Sequence, residues 1–184
     1  MRFLSVVILL VFGGFAFAPI GVPLSAFSSA DLSKIPPSLI AAGRFSRLDF
    51  YAAKLAVSEY VEASGPKQPQ PETLLTYARG RIFSGKDQMV AFALERAFVV
   101  SGVQGWENAS TQCFKKEAED LSLSDAAVLV LHMRSPTKEW NEQSEELMER
   151  RNAFLRGMAA NGFTTGDEAS AAASSTLVYC TREL

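Results

Sequence analysis

Residues 120–136 read DLSLSDAAVLVLHMRSP, residues 149–162 read ERRNAFLRGMAANG, and residues 163–172 read FTTGDEASAA. Each stretch marks its own boundaries. Ser122 with Asp125 three residues later is a capping-box pattern, so a helix is expected over 123–134. Residues 139–160 place Leu147, Phe154, Leu155 and Met158 on one face of a long amphipathic helix, which Asn161-Gly162 closes. Thr165 with Glu168 caps a last short helix. The tail from Ser175 to Leu184 carries Thr, Leu, Val and Tyr and is read as extended. Capped helices following one another in this way point to an all-α domain.

The same periodicity runs towards the N-terminus. Pro36-Pro37 opens a long helix, proline being suited to a first turn. In it Leu48, Tyr51, Ala52, Leu55 and Ala56 share a face, with Arg47, Lys54, Ser58 and Glu62 turned away. Ser64-Gly65-Pro66 ends it, and a proline-punctuated loop follows. A second helix is expected from about Pro71-Glu72, burying Leu74, Leu75, Ala78 and Ile82, with Ser84-Gly85 as its stop. A third, from about Lys86 to Val100, is apolar nearly all round and belongs at the centre of the domain. Gly102 and Gly105 bracket a turn, and Trp106 to Lys116 reads as a short helix. No internal repeat is visible.

The chain has 184 residues, 48% of them hydrophobic and 21% charged, with a net charge of −2. That is enough for one domain with one core. No basic stripe stands out, so nucleic acid is not expected as a partner. At the N-terminus Arg2 precedes an apolar run from Phe3 to Ala18, the pattern of a secretory leader. Ala16 is the better cleavage point, because a cut after Ala18 would fall beside Pro19. An uncleaved anchor is the rival reading, since apolar character resumes at Ile20 to Leu24. The run is nevertheless short of the ~20 residues a helix needs to cross a bilayer. Residues 1–18 are therefore a leader or anchor, 19–34 a tether, and 35–184 the helical domain. Either way the body is exported. Cys113 and Cys180 are the only cysteines. Paired in an oxidising compartment they would stabilise the fold by about 3–4 kcal/mol; two separate buried thiols fit the spacing equally. Nothing in the sequence calls for a metal or cofactor.

Taken in order, the elements from Gly105 onward resemble the end of the peptidoglycan glycosyltransferase domain (glycosyltransferase family 51), which has a lysozyme-like fold. Gly105-Trp106 and Ala109-Ser110 are similar to a small-residue helix of that family. Cys113-Phe114-Lys115 stands where it tends to have Tyr-Phe-Gly-Lys. Leu121-Ser122-Leu123-Ser124-Asp125-Ala126-Ala127 resembles its Leu-Thr-Leu-x-Glu-Ala-Ala helix. Ser135-Pro136, Arg150-Arg151-Asn152, Met158, Gly162-Phe163-Thr164 and Glu168-Ala169 follow in register. The resemblance implies a lysozyme-like multi-helix domain at the cell envelope.

Further upstream, Ile35-Pro36-Pro37-Ser38-Leu39-Ile40 with Ala42 looks like the family's entry into its first domain helix. The family continues there with a Glu-Asp-x-x-Phe motif, whose glutamate is the general base that deprotonates the acceptor sugar hydroxyl. In register, Arg47 and Leu48 occupy those two positions. A guanidinium accepts no proton at biological pH. Asp49 is the only carboxylate nearby, and a one-residue shift turns a helical side chain by about 100°. Glu72 to Arg79 stands where the family has Gly-x-Ser-Thr-x-Thr-Gln-Gln, which holds the donor pyrophosphate. The resemblance thus implies a degenerate domain that binds a glycan strand, a lipid-linked precursor or an envelope protein without catalysis. Arg44, Arg47, Thr73, Thr76 and Arg79 are the expected contacts, as donors to phosphate or sugar oxygens. One alternative is an active glycosyltransferase using Asp49 as the base. Another is a non-catalytic scaffold, favoured if Phe45, Phe50 or Tyr77 fills the cleft. The expected location is the bacterial periplasm or the outer face of the inner membrane, with residues 3–18 in the membrane if uncleaved.

Three further features have plain structural readings. His132 is expected as a partly buried histidine at a helix C-terminus, a position that favours positive charge. Glu142, Glu145, Glu146 and Glu149 form a solvent face with Arg150 and Arg151 as partners. Trp106 and Trp140 are assigned to packing.

Overall fold

The computed structural model describes residues 22–28, 30–64, 73–100, 102–135 and 145–180. The leader or anchor read from residues 1–18, Glu142 and Trp140 lie outside them. The described chain is predominantly helical, as the capping signals and periodicity require.

The long first helix is two helices, α1 (Pro37–Phe45) and α2 (Leu48–Ser64). The break falls at Ser46-Arg47. Ser46 donates its N–H to Ala42 and its hydroxyl to the Gly43 carbonyl at 3.0 Å, satisfying the end of α1. Arg47 then turns the chain with a φ of 61°, a left-handed conformation common just past a helix end. The face expected on α2 holds: Leu48, Ala52 and Ala56 are buried, and Lys54, Ser58 and Glu62 are exposed.

The central helix is α4 (Lys86–Arg96), with Met89 to Leu94 buried without interruption. It packs against α2, α1 and α3 (Thr73–Phe83), so it touches most of the N-terminal half. It ends at Arg96, not at Val100. Residues Phe98–Val100 form β1, which pairs antiparallel with β2 (Val103–Gln104) around Gly102, whose φ is 89°. The small hairpin corrects the expectation of an unbroken helix. A short apolar β-branched run does not distinguish helix from strand by period alone.

Helix α3 also departs from expectation. It buries Thr76, Arg79 and Gly80 and exposes Leu74 and Ile82, the reverse of the expected face. The reason lies in Gly80. A Cβ there would sit 2.9 Å from Met89 Sδ and 3.3 Å from the Phe27 ring, so α3 approaches α4 through its small-residue side. Phe27 belongs to the segment read as a tether. It is 1% exposed and packs edge-on against Phe92 at 5.1 Å.

In the C-terminal half, α5 (Trp106–Ala109) runs into a π-turn over Ser110–Phe114, and Trp106 is buried as assigned. Helix α6 (Leu123–Arg134) carries the full capping box of Ser122 and Asp125. Helix α7 (Glu145–Ala160) and α8 (Gly166–Ser174) follow, the latter capped reciprocally by Thr165 and Glu168. Residues 176–180 take no regular strand. Cys180 instead forms a disulfide with Cys113, with Cα atoms 4.4 Å apart.

Two polar expectations in this half are corrected. Arg150 pairs with Glu146 at 2.9 Å as expected, but Arg151 turns inward and is 1% exposed. There it donates to Ser124 Oγ at 3.1 Å and to the carbonyls of Ala173 and Ser175 at 2.7 and 3.0 Å. His132 is wholly buried, and burial pushes its imidazole down to about 4. Desolvation outweighs the pull of the helix terminus, so the ring is neutral.

Candidate functional site

The break between α1 and α2 sets the geometry of the expected site. Because the chain turns at Arg47, α2 begins a new helix whose first turn carries Asp49 inward. Asp49 is 2% exposed. Helix α3 lies over it and presents Tyr77 and Arg81, one helical turn apart. Tyr77 donates its phenol to Asp49 Oδ2 at 3.1 Å, and Arg81 Nε stands 3.8 Å from the same oxygen. Phe50 and Tyr77 meet edge-to-face at 5.3 Å, adding an aromatic pair beside the carboxylate. Among the described residues none donates to Asp49 Oδ1, which is buried. The result is a carboxylate enclosed between two helices, with a phenol and a guanidinium on one oxygen.

The five expected contact residues fall into different environments. Arg44, at the end of α1, makes a two-pronged ion pair with Asp87 at the start of α4. That hydrogen bonding raises its already high pKa. Arg47 is exposed at the left-handed turn. Thr73 is half-buried at the first turn of α3. Thr76 and Arg79 are 3% and 6% exposed, on the side of α3 turned towards the interior. Arg47 and Thr73 therefore reach solvent, Arg44 is engaged across two helices, and Thr76 and Arg79 face inward. Phe45 contributes to the packing of α1, with its ring 4.9 Å from Phe154 and 5.9 Å from Phe163.

The sequence marks Tyr77 only as a residue that could fill the cleft, and it does not single out Arg81. Two hydrogen-bond donors at i and i+4 on one helix are a readable signal of a shared acceptor. That signal names no acceptor until the fold brings Asp49 beneath it. Chemically, the cluster donates more readily than it accepts: Arg81 offers guanidinium N–H groups, while Asp49 is turned away from solvent.

A separate groove of about 680 Å³ opens at the opposite end of α1. Ser38, Ser122, Ser124, Thr164 and Glu168 contribute its polar wall, and Phe163 its aromatic one. None of the expected site residues lines it. Glu168 is held in its charged form by the Thr165 N–H and the Thr164 hydroxyl, so its carboxylate serves the helix cap.

Comparison with known proteins bears on both regions. A family model described as Transglycosylase matches residues 61–159. Penicillin-binding protein 1A of Rickettsia bellii (strain RML369-C) is 26% identical over 113 residues, covering 61% of this chain and 14% of that protein. The protein of the same name from Rickettsia conorii (strain ATCC VR-613 / Malish 7) is 28% identical over 108 residues, covering 58% of this chain and 14% of that protein. The matched stretch thus spans 14% of the length of these relatives. Among solved structures, penicillin-binding protein 1A from Haemophilus influenzae superposes with a TM-score of 0.53 at 20% identity, over 83% of this chain and 18% of that one. At that identity the likeness is one of fold. The family match starts downstream of Arg44, Arg47 and Asp49 and includes Thr73, Thr76 and Arg79.

Proposed function

The chain belongs to the transglycosylase family, with a peptidoglycan glycosyltransferase-like domain, and from that premise we propose that it is an exported cell-envelope protein that binds without polymerising. Its ligand is a glycan strand, a lipid-linked disaccharide precursor or an envelope protein. One observation carries the reading. The nearest carboxylate to the place where the resemblance puts the general base, Asp49, is 2% exposed and held by Tyr77. A base must come within about 3 Å of the atom whose proton it takes, and Asp49 is enclosed by α3. The Phe50–Tyr77 pair beside it also lends weight to a scaffold role for the domain. The Cys113–Cys180 disulfide supports export, since such bonds persist in oxidising compartments.

The test is to incubate the full-length protein with lipid-linked disaccharide-peptide precursor and to analyse binding and product chains together. Binding without polymer is the expected result. Polymer would overturn the reading.

One observation favours a second reading, in which the domain polymerises glycan with Asp49 as its base. Asp49 Oδ1 receives no hydrogen bond from the described residues and so retains an acceptor lone pair. This reading requires α3 to open on substrate binding. It predicts that Asp49→Asn abolishes polymer formation while circular dichroism and thermal unfolding stay close to wild type. Retained polymerisation in that variant would eliminate it.

A further inference from the structure

The groove at the far end of α1 plays no part in the functional reading. It brings together the first turns of two helices, α1 at Ser38 and α6 at Leu123 and Ser124. The N–H groups of a helix's first residues have no carbonyl within the helix to bond. On α6 the Ser122 hydroxyl caps the Asp125 N–H, one residue beyond Ser124. Ser38, Leu123 and Ser124 therefore offer backbone donors at the groove, at the positive ends of two helix dipoles.

Helix ends alone do not make a site, and Arg151 adds the second element. It is 1% exposed and stays protonated at any biological pH. Its hydrogen bonds run to Asn152, Ser124, Ala173 and Ser175, all neutral acceptors. Asp125, the carboxylate whose charge it feels, is already bonded by Lys116 at 2.6 Å. A buried guanidinium without its own carboxylate is a costly arrangement that an incoming anion relieves. Ser124 carries that charge to the groove. Its side chain is 3% exposed and accepts from Arg151 at 3.1 Å, while its own proton goes to none of the described residues. A hydroxyl that accepts from a cation donates more strongly in turn.

Glu168 supplies the opposite sign on the same groove. The Thr164 hydroxyl and the Thr165 N–H both bond its Oε2, at 2.7 and 2.9 Å, and among the described residues none donates to Oε1. A simple anion would be repelled by this carboxylate. A ligand carrying an ammonium as well as a carboxylate meets a partner for each. The rest of the lining is apolar and, on α8, small, with Ala171 and Ala172. A volume of about 680 Å³ admits a chain of a few small residues.

We propose that this groove binds a free short peptide of small residues, with its terminal carboxylate on the starts of α1 and α6 and its amino group on Glu168. Such a site uses neither Asp49 nor the glycan chemistry of the functional reading, and it stands whether or not that reading holds.

The test titrates trialanine into the isotope-labelled full-length chain and follows amide shifts by NMR, alongside trialanine amide, N-acetyltrialanine and acetate. Saturable shifts at Ser38, Leu123 and Ser124 are expected with trialanine, and binding about tenfold or more weaker with trialanine amide. Glu168→Gln keeps an acceptor for the α8 cap. It should weaken trialanine about two- to fivefold and leave N-acetyltrialanine unchanged. Ala171→Trp fills the groove from an exposed position on α8 and should abolish the shifts at an unaltered thermal midpoint. Equal affinity for the free and amidated peptides, acetate binding as tightly as trialanine, shifts scattered away from the groove, or none at all would each overturn the proposal. So would tighter binding of an N-acetylglucosamine-containing disaccharide at the same residues, which would give the groove to glycan instead.

Discussion

His132 and Arg151 are both buried side chains able to carry positive charge, and they meet the cost of burial in opposite ways. His132 gives up its proton. Its folded pKa is about 4, against an ordinary value of 6.5. Between those values the unfolded chain binds the extra proton and the folded chain does not. The contribution to stability is therefore complete above pH 6.5 and is lost as pH falls towards 4. Its size is about 3 kcal/mol at most. Urea midpoints measured across that range should fall with pH, and His132→Gln should flatten that part of the profile. Arg151 keeps its charge by finding acceptors. The carbonyls of Ala173 and Ser175 belong to the C-terminal end of α8, where the helix dipole is negative, and Ser124 sits in the first turn of α6. Burial lowers its pKa and the Asp125 charge raises it. Arg151→Met should lower unfolding stability by about 1–3 kcal/mol, because it leaves the buried Ser124 hydroxyl and the half-buried Ala173 carbonyl without their donor. Arg151→Lys should recover little, since an ammonium cannot reproduce the planar spread of donors.

Local signals proved legible at the level of single elements, and contacts between elements did not. The starts of α6 and α8 were readable because a capping box is made entirely within four consecutive residues. The central place of α4 was readable because a helix apolar on every side has nowhere else to go. The orientation of α3 was not, since periodicity favours Leu74 and Ile82 while the interior accepted Gly80. The break at Arg47 was equally hidden, because Leu48 continues the helical pattern across it. Of the candidate site, Asp49 was visible as the lone carboxylate, but its enclosure by Tyr77 and Arg81 depends on how two helices cross. Close crossings of this kind have a testable signature. At Gly43 on α1, an added Cβ would lie 2.5 Å from Val90 Cγ1, a stiff β-branched side chain on α4. Alanine gains about 1 kcal/mol of helix propensity over glycine, yet overpacking a core costs about 1–3 kcal/mol. Gly43→Ala should therefore destabilise, and thermal melts of the variant would show it.

At the scale of the whole molecule, the N-terminal half holds the expected site, and the family match over residues 61–159 runs across both halves. The two meet where α1 packs on α6 and where β1 packs on the same helix. The C-terminal half is secured by the Cys113–Cys180 bond, across a sequence separation of 67. Replacing both cysteines with serine should lower stability by about 3–4 kcal/mol; equal midpoints with and without reductant would contradict this. The bond also changes how the molecule answers a mechanical load. A pull applied at the C-terminal residues passes through Cys180 directly to Cys113 and leaves α6, α7 and α8 slack behind it. With a separation of 67 residues, about 240 Å of chain is shielded from tension until the bond is reduced. Under such a pull the domain would lengthen only through the elements that precede Cys113. The capped half would remain folded as a link that force bypasses.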